Sequence, residues 1–136
     1  MSEVFADSFY FIALLNPYDR HHAAAVEAAR SLTARVVTTH WVLVEVADAL
    51  SAPKVRRRAA HFLNDASSQR TTVIEDFDWY EKGKLLFAAR PDKSWSLTDC
   101  ISFGVMEARG IREALTGDHD FAQAGFVPLL AVREAE

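Results

Sequence analysis

Four acidic residues far apart in this chain, Asp7, Glu45, Asp99 and Asp118, each stand where a carboxylate either needs a partner or is poised to reach one. Glu45 lies within Trp41-Val42-Leu43-Val44-Glu45-Val46-Ala47, a run so apolar that its charge must be partly shielded from water. A shielded charge requires compensation. On a helix, the positions within reach of Glu45 carry Trp41, Val42, Asp48 and Ala49, none of them a cation. Asp7 directly follows the short apolar stretch Glu3 to Ala6, and Asp118 stands one glycine beyond the stretch Glu113 to Thr116. If these stretches are neighbouring parallel strands, the two carboxylates emerge together at the carboxyl edge of a sheet, where reactive crevices form. Asp99, after Ser96-Leu97-Thr98, has a purely structural reading too, because a first-turn carboxylate complements the helix dipole. Gathered carboxylates repel and take up protons unless a cation neutralises them, so their convergence would make a metal site. Oxygen ligands favour Mg(II), with Mn(II) as the alternative.

Other chemistries find less support. Cys100 is the single cysteine, which excludes an internal disulfide, and its apolar run Leu97 to Met106 makes it a small core residue. His21, His22, His40, His61 and His119 show no ligand spacing with one another, so zinc is not indicated. The chain carries neither a glycine-rich phosphate loop nor a Gly-x-Ser-x-Gly turn. A formal net charge of -4 argues against gripping nucleic acid by bulk electrostatics, so such a partner must be met locally. Arg56, Arg57 and Arg58 beside Lys54, and Arg90 with Lys93, are the candidate local cations, solvated helix faces being their plain reading. Trp79, Tyr80 and Trp95 are able to stack on bases, with core packing as the default. Neither a secretory signal nor an apolar stretch long enough for a bilayer is visible, so the expected setting is cytoplasmic, without membrane contact.

The elements that must position these acids alternate. Strands are expected at Glu3 to Ala6, Arg35 to Thr38, Thr71 to Ile74, Glu113 to Thr116 and Val127 to Val132. Helices are expected from Ser8 to Leu15, halted by Asn16-Pro17, from Tyr18 to Leu32, and from His40 to Leu50 under a Thr39 cap. A stretch opened by Pro53 runs to Ala66, Asp76 or Asp78 caps Trp79 to Ala89, and Ser96 caps Leu97 to Arg109, which Gly110 ends in the left-handed conformation. A helical turn at Phe121 to Ala124 completes the series. Short strands with long crossovers predict a three-layer α/β/α sandwich around a central parallel sheet. The 136 residues, half of them hydrophobic, suit one core and are too few for two, so residues 1–136 are read as a single domain.

In these residues the chain resembles the PIN-domain family, particularly the VapC-like toxin ribonucleases of type II toxin-antitoxin pairs. The likeness spans essentially the whole chain. It is carried by Phe5-Ala6-Asp7-Ser8, by Thr38-Thr39-His40-Trp41-Val42-Leu43-Val44-Glu45-Val46, by Ser96-Leu97-Thr98-Asp99-Cys100 and by Thr116-Gly117-Asp118-His119-Asp120-Phe121. The resemblance implies that Asp7, Glu45, Asp99 and Asp118 are catalytic metal ligands, with Asp120 an outer-shell or alternative fourth acid and Ser8 and Thr116 polar supports. It further implies cleavage of single-stranded or loop RNA to 5′-phosphate and 3′-hydroxyl ends, a cognate antitoxin that covers the acidic pocket, and a homodimer.

Two rivals remain from outside that class. A non-catalytic Mg-binding signalling module of the receiver type would also cluster strand-end aspartates. That pattern expects paired acids at the first strand and a lysine after the last, whereas Asp7 is isolated and Arg133 follows the last strand. An RNA-binding or partner-binding scaffold without turnover would share the fold, and metal-dependent cleavage separates it from an enzyme.

Overall fold

A computed structural model describes residues 2–131, so Val132 of the expected last strand and Arg133 lie outside the described residues. Five parallel strands form one sheet in the order β3-β2-β1-β4-β5. They are β1 (Glu3–Ala6), β2 (Arg35–Thr39), β3 (Thr71–Ile74), β4 (Glu113–Leu115) and β5 (Val127–Pro128). The helices between them are α1 (Ser8–Leu15), α2 (His22–Ser31), α3 (His40–Ala49), α4 (Pro53–Asp65), α5 (Asp78–Ala89), α6 (Leu97–Arg109) and α7 (His119–Gln123).

The connections decide the layers. From β1 the chain steps outward to β2 and β3, then returns to the other side of β1 for β4 and β5. Crossovers between parallel strands are right-handed, so α1 to α4 cover one face and the helices after the reversal, α5 to α7, cover the other. The packing agrees, α1 meeting α2, α3 and α4 while α6 meets α5 and α7. Phe5 and Val37 of the inner strands are fully buried, together with Val42 and Val46 from one helical layer and Val105, Met106 and Phe121 from the other. Full burial of one such side chain contributes on the order of 1.5 to 3 kcal/mol. Cys100 is a buried core residue, as its surroundings in the sequence suggest.

Several boundaries shift by a residue or two, α7 beginning at His119 rather than Phe121, and three departures have a visible local reason. The second helix begins at His22 rather than Tyr18 because Asn16 Oδ1 accepts the Tyr18 amide at 3.0 Å and Asp19 Oδ1 accepts the His21 amide at 2.8 Å. Such side-chain turns compete with helix. Strand β4 stops at Leu115, where the Thr116 amide turns back to the Ala114 carbonyl at 3.0 Å. The last strand is only Val127–Pro128 because the chain turns at Leu129 and Leu130, although the Leu129 amide still donates to the Ala114 carbonyl at 2.9 Å; Pro128 is tolerated because this is an edge strand. Elsewhere Asp76 supplies the carboxylate that receives the Asp78 amide, at 2.9 Å, and Gly110 ends α6 at φ 67°.

Candidate active site

The reversal of winding lies between β1 and β4, which pair directly through Phe5 with Ala114 and Ala6 with Leu115. Their carboxyl ends therefore release Asp7 and the Thr116-Gly117-Asp118 turn side by side. Asp7 is 3% exposed, and the fully buried Thr116 hydroxyl donates to its Oδ2 at 2.9 Å. The same Thr116 oxygen accepts the Asp118 amide at 3.1 Å, so one side chain ties the two acids together. Asp118 caps α7, its Oδ1 accepting the Asp120 amide at 2.9 Å. Gly117 allows this turn to press on α1, for a Cβ there would stand 2.5 Å from the Phe9 ring.

Asp99 arrives from the opposite helical layer. Ser96 Oγ accepts the Asp99 amide at 3.0 Å while Asp99 Oδ2 accepts the Ser96 amide at 3.2 Å, a complete capping box. The structural reading of this residue is thus fulfilled, and the same carboxylate also joins the acidic group. Carboxylate oxygens of Asp99, Asp118 and Asp120 lie within 4.8 Å of one another, the tightest set of possible metal ligands among the described residues. Asp120 is accordingly part of the innermost group. Asp7 and Glu45 stand outside that set of mutual distances, but within electrostatic reach of Asp118 and of each other. Glu45, half-buried on α3, enters from the first helical layer.

The electrostatics follow from this crowding. Burial pushes the Asp7 carboxyl up to about 6; the Thr116 hydroxyl and Ser8 amide oppose the rise, and Glu45 and Asp118 add to it. Burial raises Asp99 to about 7, the nearby Asp7 adds to it, the Ser96 amide opposes it, and Asp118 and Asp120 raise it further. Glu45 is raised by burial, with the Ser8 and Thr98 side chains pulling it back and Asp118 pushing it up. Asp120 is raised by burial and then by Asp118. Among the described residues the ion pairs are Lys84 with Glu81, Arg90 with Asp92 and Arg109 with Glu3, so no lysine or arginine answers the cluster. Rigidly held hard oxygens carrying uncompensated charge fit a divalent cation.

Several of the candidate local cations have neighbours of their own. Arg90 forms an exposed two-bond fork with Asp92, Arg58 donates to the Leu15 carbonyl at the far end of α1 from Asp7, and Arg56 donates to the Ser51 carbonyl. Lys93 stands 5.8 Å from the Trp95 ring centroid, just before Ser96. Two supporting residues escape the reading of the sequence. Thr38 is fully buried and donates to the Ala6 carbonyl at 2.8 Å, fixing the end of β1 against β2, and Thr98 faces Glu45. The only sequence signal for either is a threonine at a strand end or in a helix's first turn.

Comparison with known proteins places this arrangement. Residues 4–127 match the PIN domain. Over 130 residues the chain is 30% identical to the 23S rRNA-specific endonuclease VapC20 of Mycobacterium tuberculosis, in both strain CDC 1551 / Oshkosh and strain ATCC 25618 / H37Rv, covering 91% of this chain and 95% of the relative. The crystal structure of M. tuberculosis VapC20, described as a Sarcin-Ricin loop cleaving toxin, superimposes with a TM-score of 0.85 at 30% identity, covering 96% of this chain and 99% of that one. With a parallel sheet, acids at its winding reversal and a family match over residues 4–127, the chain belongs to the PIN-domain family, a family of nucleases that hydrolyse phosphodiester bonds.

Proposed function

We propose that the protein is a Mg(II)- or Mn(II)-dependent endoribonuclease that cleaves single-stranded or loop RNA at Asp7, Glu45, Asp99 and Asp118, with Asp120 a further metal ligand. The observation that carries this reading is the close grouping of the Asp99, Asp118 and Asp120 carboxylates, with Asp7 and Glu45 within electrostatic reach and, among the described residues, no lysine or arginine paired with any of them. A divalent cation bound there would neutralise charge on the scissile phosphate and acidify the attacking water. The chain's own contribution is preorganisation. Thr116 holds Asp7 and the Asp118 backbone, the capping box holds Asp99, and Ser8 and Thr98 steady Glu45, so the donor oxygens need not rearrange when charge develops.

The VapC20 name and the description of its crystal structure support ribosomal RNA, and a structured loop within it, as the first substrate to try. The description of VapC20 as a toxin supports a toxin role, and the proposal includes with it a cognate antitoxin partner, a homodimeric state and a cytoplasmic setting. Among the described residues no helix is long and apolar enough to cross a membrane. The test is incubation of the purified protein with ribosomal RNA and with a mixed RNA pool in Mg(II), in Mn(II) and in chelator, alongside Asp7→Asn and Asp99→Asn. Metal-dependent cleavage that both substitutions abolish is the expected result; cleavage that survives them unchanged rejects the assignment.

A further inference from the structure

Beside the acidic centre stands a row of aromatic rings that the core does not use. Trp41 precedes Glu45 by one turn of α3, so the two side chains rise from one face with Cβ atoms about 5 to 6 Å apart. The Trp41 ring lies within 15° of parallel to Tyr80, with centroids 6.5 Å apart, and Tyr80 packs on Phe77 at 5.0 Å. Trp41 and Tyr80 are half-buried and Phe77 is 62% exposed. None of the three belongs to the buried core or packs against it, whereas Trp79, their neighbour in sequence, does. The Lys84 ammonium stands 5.2 Å from the Tyr80 centroid while paired with Glu81 at 3.0 Å.

We propose that Trp41, Tyr80 and Phe77 form a stacking platform for the bases of single-stranded RNA next to the phosphate that enters the acidic centre, an inference that rests on the nuclease reading above. A chain of net charge -4, with an acidic centre, meets a polyanion with little net electrostatic attraction. Stacking supplies an attraction that does not depend on charge, and it tolerates sequence because every base has a π-face. The position of Trp41, one turn from Glu45, makes the row continuous with the reaction centre rather than a separate surface. A base seated there fixes which phosphate lies over the carboxylates.

The experiment titrates the protein with fluorescent oligouridylate and with an abasic ribose-phosphate chain of the same length, without divalent metal, and separately follows metal-dependent cleavage. Trp41→Leu and Tyr80→Leu remove the π-face while keeping apolar bulk; Trp41→Phe and Tyr80→Phe retain a ring. Both leucine variants should bind oligouridylate about tenfold more weakly or worse and raise KM with little change in kcat. The phenylalanine variants should recover most of that loss, and the abasic chain should bind all five proteins alike. Leucine variants that bind oligouridylate as the wild type does would overturn the platform, as would an equal loss for the abasic chain. So would a loss that tracks a changed sedimentation coefficient, which would mark the row as a contact between copies of the chain. Ring-dependent binding without any cleavage would sink the nuclease reading and leave the platform standing; cleavage with KM indifferent to the rings would do the reverse.

Discussion

The two ends of the sheet treat their acids in opposite ways. At the amino end Glu3 receives a two-bond fork from Arg109, at 3.1 and 2.8 Å, and this partner holds its carboxyl below the usual range. At the carboxyl end Asp7 and Asp99 are more deeply buried, face other acids and are pushed up to about 6 and about 7. A cavity of about 580 Å³ lies at the amino end among Glu3, Arg35, Arg109, Arg112 and Glu113, well away from the acidic cluster. A sizeable cavity alone therefore does not mark the acidic cluster. Charge left without a counter-charge is the better guide, because a fold that can pair Glu3 has, among the described residues, paired no lysine or arginine with the far more costly Asp7 and Asp99.

The largest expected effect sharpens that contrast. Asp7→Asn and Asp99→Asn should lower RNA cleavage by more than about a hundredfold, beyond what a supporting residue costs. In chelator the same variants should be no less heat-stable than the wild type, since each removes a charge that the metal-free fold disfavours. A marked drop in their thermal midpoint would mean that the carboxylates are structural.

The pH dependence should differ in sign between the two ends. Asp7 and Asp99 have folded-state values above their ordinary 3.8, so the folded state holds their protons more tightly than the unfolded chain does. Without metal they impose no penalty below about pH 4, a growing one as pH rises from there through 6 and 7, and a constant one above. Denaturant titrations in chelator at pH 5 and pH 8 measure it, and saturating Mg(II) should erase the loss at pH 8. Glu3 is lowered from 4.5, so its contribution is present above that value and fades as pH falls. A metal-free protein that is more stable at pH 8 than at pH 5 would contradict the burial of uncompensated acids.

Gly117→Ala should cost about 1 to 3 kcal/mol, because its new methyl group would press on the Phe9 ring, itself packed 4.8 Å from His21. Cleavage should fall as well, since the shift would be felt by Asp118 next to it; full activity would show that the turn is more forgiving than its geometry. Arg109→Ala sits at the small end of the scale. Its pair with Glu3 is partly exposed, with side chains 35% and 26% accessible, so the loss should stay within about 1 kcal/mol and cleavage should be unaffected.

Much of this molecule is legible without coordinates. The β-branched runs mark β2 and β3, Thr39, Pro53, Ser96 and Gly110 mark helix ends at the positions observed, and the strand-helix alternation leads to the parallel sheet. Those signals are local, each written in a few adjacent residues. Side-chain turns at Asn16 and Asp19 were harder to see, since the alanine-rich segment that follows has high helix propensity and the competing hydrogen bonds depend on rotamers.

By itself, the order of residues determined which acids were anomalous: Glu45 in an apolar helix without a cation in reach, and Asp7 and Asp118 just past strand ends. Only the tertiary structure decided that β1 lies against β4, that Asp99 serves its helix cap and the acidic group together, that Asp120 belongs to the innermost set, and that Arg58 and Arg90 have neighbours of their own. The division has a physical cause. Capping, periodicity and turn chemistry act over one or two turns of chain, whereas Coulomb interactions and burial depend on distances through space between segments as far apart as Asp7 and Asp118.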